Sequence, residues 1–481
     1  MHFPSTLLPL LLLNTPALAS NSASHNTYTY ETKSINLDSA LTPDFYSYFE
    51  PDIVDDWTIF DPQPVHGVAT SDGSFVLVGR SDESDSFNSS AEGFGVRLSA
   101  SGELLWRWQS GSAGDDTVNA VAELPDGNFA FAGYRIVNKV AKRVVYVLEG
   151  ETGKVLNTFD GFGDADKSHG AFEMIHVAGD SVLLTGVHNK PNSREMFFKS
   201  YGNVGDGEAI VQSLSVSSLM KGDATVDWFA DFPDYVTAKE ARAVKGGGIA
   251  VELFEYEHMA TVVMLDAKGK TVWGPTNFPG HGEASALNVD VSGEYLFLTG
   301  QGPDPSVSYT RGGTSGALTK IAASDGSKVF TKFFSVGGNP DLIWNECWGS
   351  AVAADGSGIT VACGAGIEDC VDPPIDDEQM LADCEAGIGD DRDGAYPRSA
   401  GNWYAFVYKA DLDGNLLWQR VDSHQGDDDP ADMNSADFQP QSSAAEFIVE
   451  ARDGSIGVIT DEMDGLGMIH LAKDGEKTAI A

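Results

Sequence analysis

Residues 67–79 read Gly-Val-Ala-Thr-Ser-Asp-Gly-Ser-Phe-Val-Leu-Val-Gly, and residues 121–133 read Val-Ala-Glu-Leu-Pro-Asp-Gly-Asn-Phe-Ala-Phe-Ala-Gly. Each stretch holds two short apolar runs joined through Asp-Gly, which supplies the positive φ that a tight hairpin turn requires. Short β-rich runs bounded by turn residues are typical of strands. The two stretches therefore predict the same β-hairpin, used twice.

This hairpin pattern returns along the whole chain. Five further copies, two of them weaker, lie at residues 172–186, 241–253, 286–300, 351–364 and 447–460. A second predicted hairpin follows each copy, at residues 94–106, 144–156, 210–229, 262–273, 318–330, 406–418 and from 467 onward. Four short antiparallel strands, repeated seven times without a helix between them, are typical of a β-propeller. The sequence therefore predicts an all-β chain that forms a single propeller of seven four-stranded blades.

The ends of the chain complete the predicted domain plan. The last unit lacks its fourth strand, so we expect Trp57-Thr-Ile-Phe60, which precedes the first unit, to complete the seventh blade and close the ring. Residues 1–19 combine an apolar run with Pro16-Ala-Leu-Ala19, a pattern typical of a cleaved signal peptide. The expected domains are a signal peptide at 1–19, an N-terminal extension at 20–56 and the propeller at 57–481.

Secretion and charge limit the expected partners. The signal peptide predicts a secreted, extracellular protein, and no later apolar stretch is long enough for membrane insertion. The formal net charge is -42, from 72 acidic and 30 basic residues, which disfavours nucleic acid and anionic membranes. We expect a monomer whose partner is a cationic protein or a glycan. The alternative interpretation is that the acidic residues only keep a secreted protein soluble.

Four cysteines fall within one stretch of the chain: Cys347, Cys363, Cys370 and Cys384. In a secreted protein disulfides are the default, and four cysteines allow three pairings. We favour Cys347 with Cys363, tying adjacent strands, and Cys370 with Cys384, closing a local loop. Zinc is the competing interpretation, although the stretch has no Cys-x-x-Cys pair and no nearby histidine.

The predicted insertions sort to one face of the propeller. We call the face with the second-to-third connections of each blade and the blade-to-blade crossovers the loop face, and the opposite face the turn face. The long insertions occupy loop-face positions, at residues 81–93, 188–208, 301–315, 365–402 and 423–442. Long loops on a rigid scaffold commonly carry binding residues, so we expect the binding site on this face. Asn88-Ser-Ser90, in the first insertion, is a predicted glycosylation site.

The insertion at residues 365–402 is the most acidic. It carries eleven acidic residues against Arg392 and Arg398, and clustered carboxylates suit Ca²⁺. Gly389-Asp-Asp-Arg-Asp-Gly394 is the nearest segment to a calcium loop, although Gly389 occupies the position of the first ligand. The candidate metal ligands are Asp390, Asp391 and Asp393. Ca²⁺ is the candidate ion, and we expect no other cofactor.

Four aspartates recur in the predicted blade-to-blade crossovers, which descend toward the central channel: Asp116, Asp166, Asp341 and Asp429. They are the candidate ligand-binding residues. The alternative is a backbone role, in which each carboxylate accepts N–H bonds from the crossover and fixes the innermost strand. The sequence leaves both roles open.

No catalytic motif is present in the sequence, which contains no Gly-x-Ser-x-Gly elbow, His-Glu-x-x-His, P-loop or dinucleotide fingerprint. Scattered histidines in a protein of this size are more often surface residues than a catalytic cluster, and we interpret five of them in this way: His169, His176, His188, His281 and His424. Trp106, Trp273 and Trp418 end outer strands and predict packing between blades.

A longer motif carries a family resemblance. A strand ending in Trp leads into Gly-x-x-x-Asp, then an apolar strand, Asp-Gly and a β-run ending in Gly. The best copy is Trp108-Gln-Ser-Gly-Ser-Ala-Gly-Asp-Asp116 followed by residues 121–133, with looser versions at 161–166 and 337–341. The motif resembles the secreted propellers built from SBBP-type or delta-60-type repeats. The resemblance covers residues 57–481 and implies an architecture without any one activity.

A second resemblance concerns the turns. Glu151-Thr-Gly-Lys-Val-Leu156 and Asp266-Ala-Lys-Gly-Lys-Thr-Val-Trp273 are similar to the Thr-Gly-Lys-x-x-Trp turns of quinoprotein-like propeller repeats. That resemblance implies pyrroloquinoline quinone (PQQ) as a cofactor. The adjacent cysteine pair of many quinoprotein dehydrogenases is absent from this chain, so we do not expect PQQ.

These observations favour a non-catalytic extracellular binding or scaffold propeller that engages a cationic protein, a glycan or Ca²⁺ through an acidic loop face. The alternative is a propeller enzyme, either a quinoprotein-like oxidoreductase or a carbohydrate-active hydrolase or lyase. The Thr-Gly-Lys turns and the carboxylates near the axis support that alternative. Glycoside hydrolysis requires paired carboxylates about 5 to 10 Å apart, a separation that sequence spacing does not define.

Overall fold

The described part of the chain lies within one compact unit, Leu41–Ala481. The computed structural model describes residues 62–81, 92–100, 103–111, 116–137, 140–160, 170–189, 207–222, 225–255, 259–278, 281, 285–305, 314–335, 344–367, 402–422, 443–462 and 465–475. A second unit, Met1–Ala40, lies wholly outside these residues. The predicted signal peptide and N-terminal extension are outside them too.

The strands form seven separate antiparallel sheets, and in each sheet the strands pair in chain order. The first blade contains β1 (Pro62–Ala69), β2 (Phe75–Ser81), β3 (Glu92–Leu98) and β4 (Leu104–Gln109). The second contains β5 (Thr117–Glu123), β6 (Phe129–Val137), β7 (Val140–Leu148) and β8 (Val155–Asp160). The third contains β9 (Gly170–Ala178), β10 (Ser181–Asn189), β11 (Gly207–Ser215), the helix α1 (Val216–Lys221) and β12 (Val226–Phe232).

The remaining blades repeat this plan. The fourth contains β13 (Thr237–Ala243), β14 (Ile249–Glu255), β15 (Met259–Leu265) and β16 (Thr271–Asn277). The fifth contains β17 (Ser285–Val289), β18 (Tyr295–Gly302), β19 (Ser315–Ala322) and β20 (Lys328–Phe334). The sixth contains β21 (Trp344–Val352), β22 (Ile359–Ile367), β23 (Asn402–Ala410) and β24 (Leu416–Asp422). The seventh contains β25 (Ser443–Glu450), β26 (Ile456–Glu462) and β27 (Gly465–Leu471).

The blades close into a ring. Their first strands contact one another in circular order, and β25 of the seventh blade contacts β1 of the first. Phe75 and Phe94 of the first blade share one buried core with Phe447 and Ile459 of the seventh. The seventh sheet shows three strands among the described residues, and the predicted closing strand at 57–60 lies outside them. The predicted all-β, seven-bladed propeller is confirmed.

The third blade departs from the expected pattern, because α1 connects β11 and β12 where the sequence predicted no helix. The Ser215 side chain accepts a hydrogen bond from Ser218 N at 3.0 Å, and Gly222 ends the helix with a φ of 85°. A serine N-cap and a glycine in the left-handed region are favourable helix ends, so the local sequence supports this turn. No helix in the described part of the chain is long and apolar enough to cross a membrane.

Polar side chains link the first strands of neighbouring blades. Each first strand is the inner edge of its sheet, so half of its backbone groups need partners from elsewhere. Asn119 Nδ2 donates to Phe172 O of the next blade at 2.7 Å, and Asn288 Nδ2 donates to Ser350 O at 2.8 Å. In the same way, Leu287 N donates to Glu240 Oε2 at 3.0 Å. Buried polar groups near the axis therefore hold neighbouring blades together.

Aromatic side chains link the outer strands. Trp106 on β4 is 7% exposed, and its Nε1 donates to Gly150 O of the next blade at 2.8 Å. Gly153, in the turn that follows, has a φ of 69°, and a Cβ there would lie 2.8 Å from the Trp106 ring. The same aromatic-on-glycine contact recurs at four other blade junctions: Trp228 with Gly269, Trp273 with Gly326, Phe330 with Gly414, and Trp418 with Gly475. The predicted packing role of Trp106, Trp273 and Trp418 is thus observed.

Replacing Trp106 by Ala is expected to lower the free energy of unfolding by about 3–5 kcal/mol, because a buried ring and its hydrogen bond are lost. Leu105→Ala, on the same strand but 50% exposed, is the matched control and should change it by no more than about 0.5 kcal/mol. Urea unfolding monitored by fluorescence or circular dichroism measures both. Equal losses in the two variants would contradict the packing role of Trp106.

Cys347 and Cys363 form a disulfide between β21 and β22, as predicted. The two residues are direct register partners in the antiparallel pair, and both are fully buried. The disulfide therefore links the two strands of the inner hairpin of the sixth blade covalently, immediately before the acidic insertion at 365–402. Cys370 and Cys384 lie outside the described residues, so their pairing stays a prediction.

Candidate functional site

The strand bounds place all five long connections on the loop face. They join β2 to β3, β10 to β11, β18 to β19, β22 to β23, and β24 to β25. Antiparallel strands alternate in direction, so second-to-third connections and crossovers end on the same side of every blade. On the turn face, described connections run two to six residues, apart from the one that holds α1. The candidate metal ligands Asp390, Asp391 and Asp393 lie within the long connections and outside the described residues.

Of the four candidate aspartates, Asp116 is the one that falls within the described residues. It immediately precedes β5, it is 1% exposed, and its Oδ1 accepts a hydrogen bond from Ile136 N of β6 at 3.0 Å. This contact extends the pairing of the innermost strand with its neighbour, which is the backbone role that the sequence allowed. Asp166, Asp341 and Asp429 lie outside the described residues. A ligand-binding role for the four aspartates stays a proposal.

The interpretation as surface residues was wrong for His281, which is buried, whereas His176 and His188 are half-buried. His281 is 1% exposed, and its Nε2 lies 2.8 Å from Thr319 Oγ1. His188 Nε2 lies 3.1 Å from Glu208 Oε2, where β10 pairs with β11. His176 lies in the wall of the central channel. His169 and His424 are outside the described residues.

A cavity of about 800 Å³, the channel cavity, lies on the propeller axis. Residues of all seven first strands line it, so the closed ring creates it and no single blade does. Its wall reaches from mid-strand residues such as His66 to turn residues such as Ser292 and Gly293, so it runs toward the turn face. Its polar wall residues include His66, Glu123, His176, Arg242, Lys245, Asn288, Asp290, Ser350 and Glu450.

Arg242 on β13 is the cation in the inner part of this wall. Its Nη2 lies 3.1 Å from Glu240 Oε2, and the two side chains are 14% and 5% exposed. Burial raises the pKa of the Glu240 carboxyl, and the Arg242 charge opposes that rise. Since Glu240 Oε2 also accepts from Leu287 N, Glu240 is held in place from two directions.

His66 on β1 and His176 on β9 are held neutral. Burial, together with the nearby Arg242 charge, lowers the pKa of each imidazole from 6.5 to about 3. His66 Nδ1 accepts from Val121 N at 3.3 Å, which fixes the ring against the neighbouring strand. Two neutral imidazoles and one guanidinium, from the first, third and fourth blades, therefore meet at the channel cavity.

The carboxylates of the cavity wall already have partners. Glu123 accepts from Ser71 N at 2.7 Å and from Ser71 Oγ at 2.6 Å. Glu450 Oε1 lies 3.6 Å from Lys409 Nζ, and burial raises the Glu450 pKa to about 7. Asp290 accepts hydrogen bonds from its own turn, including Tyr295 N at 2.9 Å. Each of these acids therefore has a protein partner, and within the described part of the chain Arg242 makes one ion pair, with Glu240.

Sequence reasoning missed the channel cavity because it placed the site on the loop face. A signal was present, since polar residues interrupt otherwise apolar first strands at His66, His176, Arg242 and Asn288. In the described residues, no group of three or more His, Cys, Asp or Glu side chains is arranged to hold a metal ion.

No protein-family model matches the sequence, and comparison with curated proteins finds no match. The chain is similar to several solved structures at low sequence identity. The WD40 domain of Neurospora crassa Pan2 is 9% identical with a TM-score of 0.49, covering 89% of this chain and 94% of its own. Hydrazine synthase from Kuenenia stuttgartiensis is 10% identical with a TM-score of 0.47, covering 82% and 92%.

Quinohemoprotein alcohol dehydrogenase from Comamonas testosteroni is 10% identical to this chain, with a TM-score of 0.44, and the match covers 87% of this chain and 67% of the dehydrogenase. Likeness at this level concerns the fold alone. The class that the structure defines is a seven-bladed β-propeller.

The neutral channel histidines predict an acid-sensitive fold. Their folded-state pKa lies below 6.5, so the unfolded chain binds more protons, and stability falls as the pH drops from 6.5 toward about 3. In His66→Gln/His176→Gln, unfolding should bind up to two fewer protons in this window, and the free energy of unfolding should vary less with pH. Urea titrations across the pH range measure this slope.

Glu173→Gln is the control variant for this titration. Burial raises the Glu173 pKa from 4.5 to about 7. The contribution of this residue to the free energy of unfolding is therefore lost as the pH rises from 4.5 to about 7. The control should therefore remove the opposite trend, and because the two windows overlap between pH 4.5 and 6.5 it should steepen the acid limb there, where the double histidine variant weakens it. An unchanged acid slope in the double histidine variant would contradict the assignment.

Proposed function

We propose that the protein is a secreted, non-catalytic binding or scaffold propeller whose loop face engages a cationic protein. The observation that carries the proposal is the sorting of the five long connections onto one face of a closed ring. A ring of packed blades is a rigid platform, and long loops on a rigid scaffold are common binding elements. The short turns of the opposite face have no comparable reach.

Charge supports a cationic partner. The chain carries a formal charge of -42, and the insertion at 365–402 alone holds eleven of its acidic residues. Clusters of one sign accelerate the encounter with a partner of opposite sign and select against like-charged ones. A glycan would gain less from this field than a protein rich in Lys and Arg. The resemblance to SBBP-type secreted propellers is consistent with extracellular binding.

The Thr-Gly-Lys turns, one of the two observations in favour of the enzyme alternative, have another explanation. The turns similar to quinoprotein-like repeats hold Gly153 and Gly269, which pack against Trp106 and Trp228 of the preceding blade. These turns join third to fourth strands, at the outer side of the blades and away from the axis. Packing between blades accounts for them without a cofactor.

Charge reversal on the loop face tests the proposal. The variant Asp376→Lys/Asp377→Lys/Asp390→Lys/Asp391→Lys should bind a fluorescent Lys-rich peptide about tenfold more weakly, since four attractive charges become repulsive. The matched control reverses four acids on the turn face: Glu103, Glu151, Asp413 and Asp474. It makes the same net charge change and should alter affinity by less than about threefold. Fluorescence anisotropy at physiological ionic strength measures both.

Equal weakening in the two variants would show that net charge alone is responsible, and would overturn the assignment to the loop face. Failure of the unaltered protein to bind the Lys-rich peptide more tightly than a Gly-Ser peptide would overturn the cationic partner.

Ca²⁺ binding at Asp390, Asp391 and Asp393 is the second element of the proposal, since oxygen ligands on a loop suit this ion. Isothermal titration with CaCl₂ should give a saturable heat that Asp390→Asn/Asp391→Asn/Asp393→Asn removes. Asp427→Asn/Asp428→Asn, in another acidic stretch, is the control and should retain the heat. An unchanged titration in the triple variant would exclude these three residues as ligands.

A further inference from the structure

Ring closure brings together three side chains that are far apart in the sequence. His66, His176 and Arg242 come from three different blades, and all three line the channel cavity. All three residues line this one cavity, and the Arg242 charge contributes to the lowered pKa of both imidazoles. This grouping is separate from the loop face and from the function proposed for it.

Arg242 has donors to spare. A guanidinium carries five N–H donors in a planar fork that matches the two oxygens of a carboxylate or a phosphate. Its one ion pair in the described structure is the 3.1 Å contact with Glu240. The Glu240 Oε2 atom in that contact also accepts from Leu287 N, so Glu240 is committed to the backbone of the next blade. The rest of the fork is available to a molecule in the cavity.

The surroundings favour an oxyanion at this position. The imidazoles of His66 and His176 line the same space, and each neutral ring carries one N–H donor. The wall acids Glu123, Asp290 and Glu450 are engaged by Ser71, by their own turn and by Lys409. Lys245, at the mouth, pairs with Glu294 at 2.5 Å and is 65% exposed. Arg242 is thus the cation that the inner cavity presents to an incoming ligand.

The volume of the cavity and the screening of the net negative charge are both compatible with the binding of an anion. A cavity of about 800 Å³ falls within the roughly 300–1,000 Å³ range of small-molecule sites. The net charge of -42 is spread over the whole chain, and exposed charges beyond about 8 Å are screened at physiological ionic strength. A partly buried arginine beside the ligand interacts through a lower dielectric constant, so the Arg242 charge outweighs the distant net charge and favours an anion in the cavity.

We propose that the channel cavity binds a small molecule bearing a carboxylate or phosphate group, with Arg242 as the anchor and His66 and His176 as adjacent hydrogen-bonding groups. The ligand enters from the turn face, opposite the loops expected to carry protein binding. The propeller would then hold two independent sites, one on each side of the ring.

Binding should be coupled to proton uptake. Without a ligand, burial and Arg242 keep both imidazoles neutral. An anion beside Arg242 offsets that charge and favours the imidazolium form, which donates to the anion. The other charged groups of the cavity wall, and of the strands that carry His176 and Arg242, are present in both states: Glu123, Glu173, Lys239, Glu240, Lys245, Asp290 and Glu450. Since these groups are present with and without the ligand, a change in the number of bound protons on titration is caused by ligand binding.

The test uses the whole protein with citrate and inorganic phosphate as probes, against chloride at equal ionic strength. Isothermal titration in two buffers of different ionisation enthalpy gives affinity and proton uptake together. The unaltered protein should bind at least one oxyanion with uptake of a fraction of a proton. Preference for citrate assigns the site to carboxylates, and preference for phosphate assigns it to phosphate esters.

Glu240→Gln/Arg242→Gln removes both members of the ion pair, so no unpaired buried charge remains and net charge is unchanged. This variant should bind about 10- to 100-fold more weakly, because charge-assisted hydrogen bonds are lost. Lys245→Gln, which removes a cation at the mouth, is the control and should stay within about threefold. His66→Gln/His176→Gln should retain measurable binding without proton uptake.

Arg242→Lys, which keeps the charge but not the planar fork, provides a second route if the glutamine pair fails to fold, and it should also weaken binding. Three results would overturn the proposal: the unaltered protein binds neither oxyanion, the Arg242 variants bind with the same affinity as the unaltered protein, or Lys245→Gln loses more affinity than the Arg242 variants. A decrease confined to the Arg242 variants would support it.

Discussion

Every blade of this protein is completed by its neighbours, and the closed ring is the constraint on which the structure depends. The apolar faces of each sheet are buried between blades, as the shared core of Phe75, Phe94, Phe447 and Ile459 illustrates where the seventh blade meets the first. A blade in isolation would expose those faces to water, so the hydrophobic effect stabilises only the assembled circle. Each sheet keeps two edges, its first strand at the axis and its last strand at the rim, and closure of the ring shields the inner edges from other chains.

Different contacts join neighbouring blades near the axis and at the rim of the ring. Near the axis, edge strands leave backbone groups that Asn119, Glu240 and Asn288 satisfy across blade boundaries. At the rim, aromatic rings such as Trp106 lie on positive-φ glycines of the following blade. Polar residues are therefore stable at the axis because they have backbone partners there, and this is what allows a charged, water-accessible cavity inside an otherwise apolar ring.

The two faces differ in their connections. The long connections begin and end on the loop-face side of the strands, and the insertion at 365–402 is the most acidic of them. The channel cavity runs toward the turn face, and Arg242 lies in its inner wall. The two proposed sites would lie on opposite sides of the ring and would prefer ligands of opposite charge.

The sequence by itself determined the seven-fold repeat, the hairpin turns and the face that carries the long connections, and among three possible cysteine pairings it favoured the disulfide of Cys347 with Cys363 that the structure contains. These features follow from local rules, because strand periodicity, Asp-Gly turns and connection lengths are read from neighbouring residues. Only the tertiary structure decided that His66, His176 and Arg242 meet, that His281 is buried, and that Asp116 accepts a bond from Ile136. The physical reason is that the axis is formed by one strand from each of seven blades. A residue's neighbours there are set by closure of the ring and not by its position in the chain.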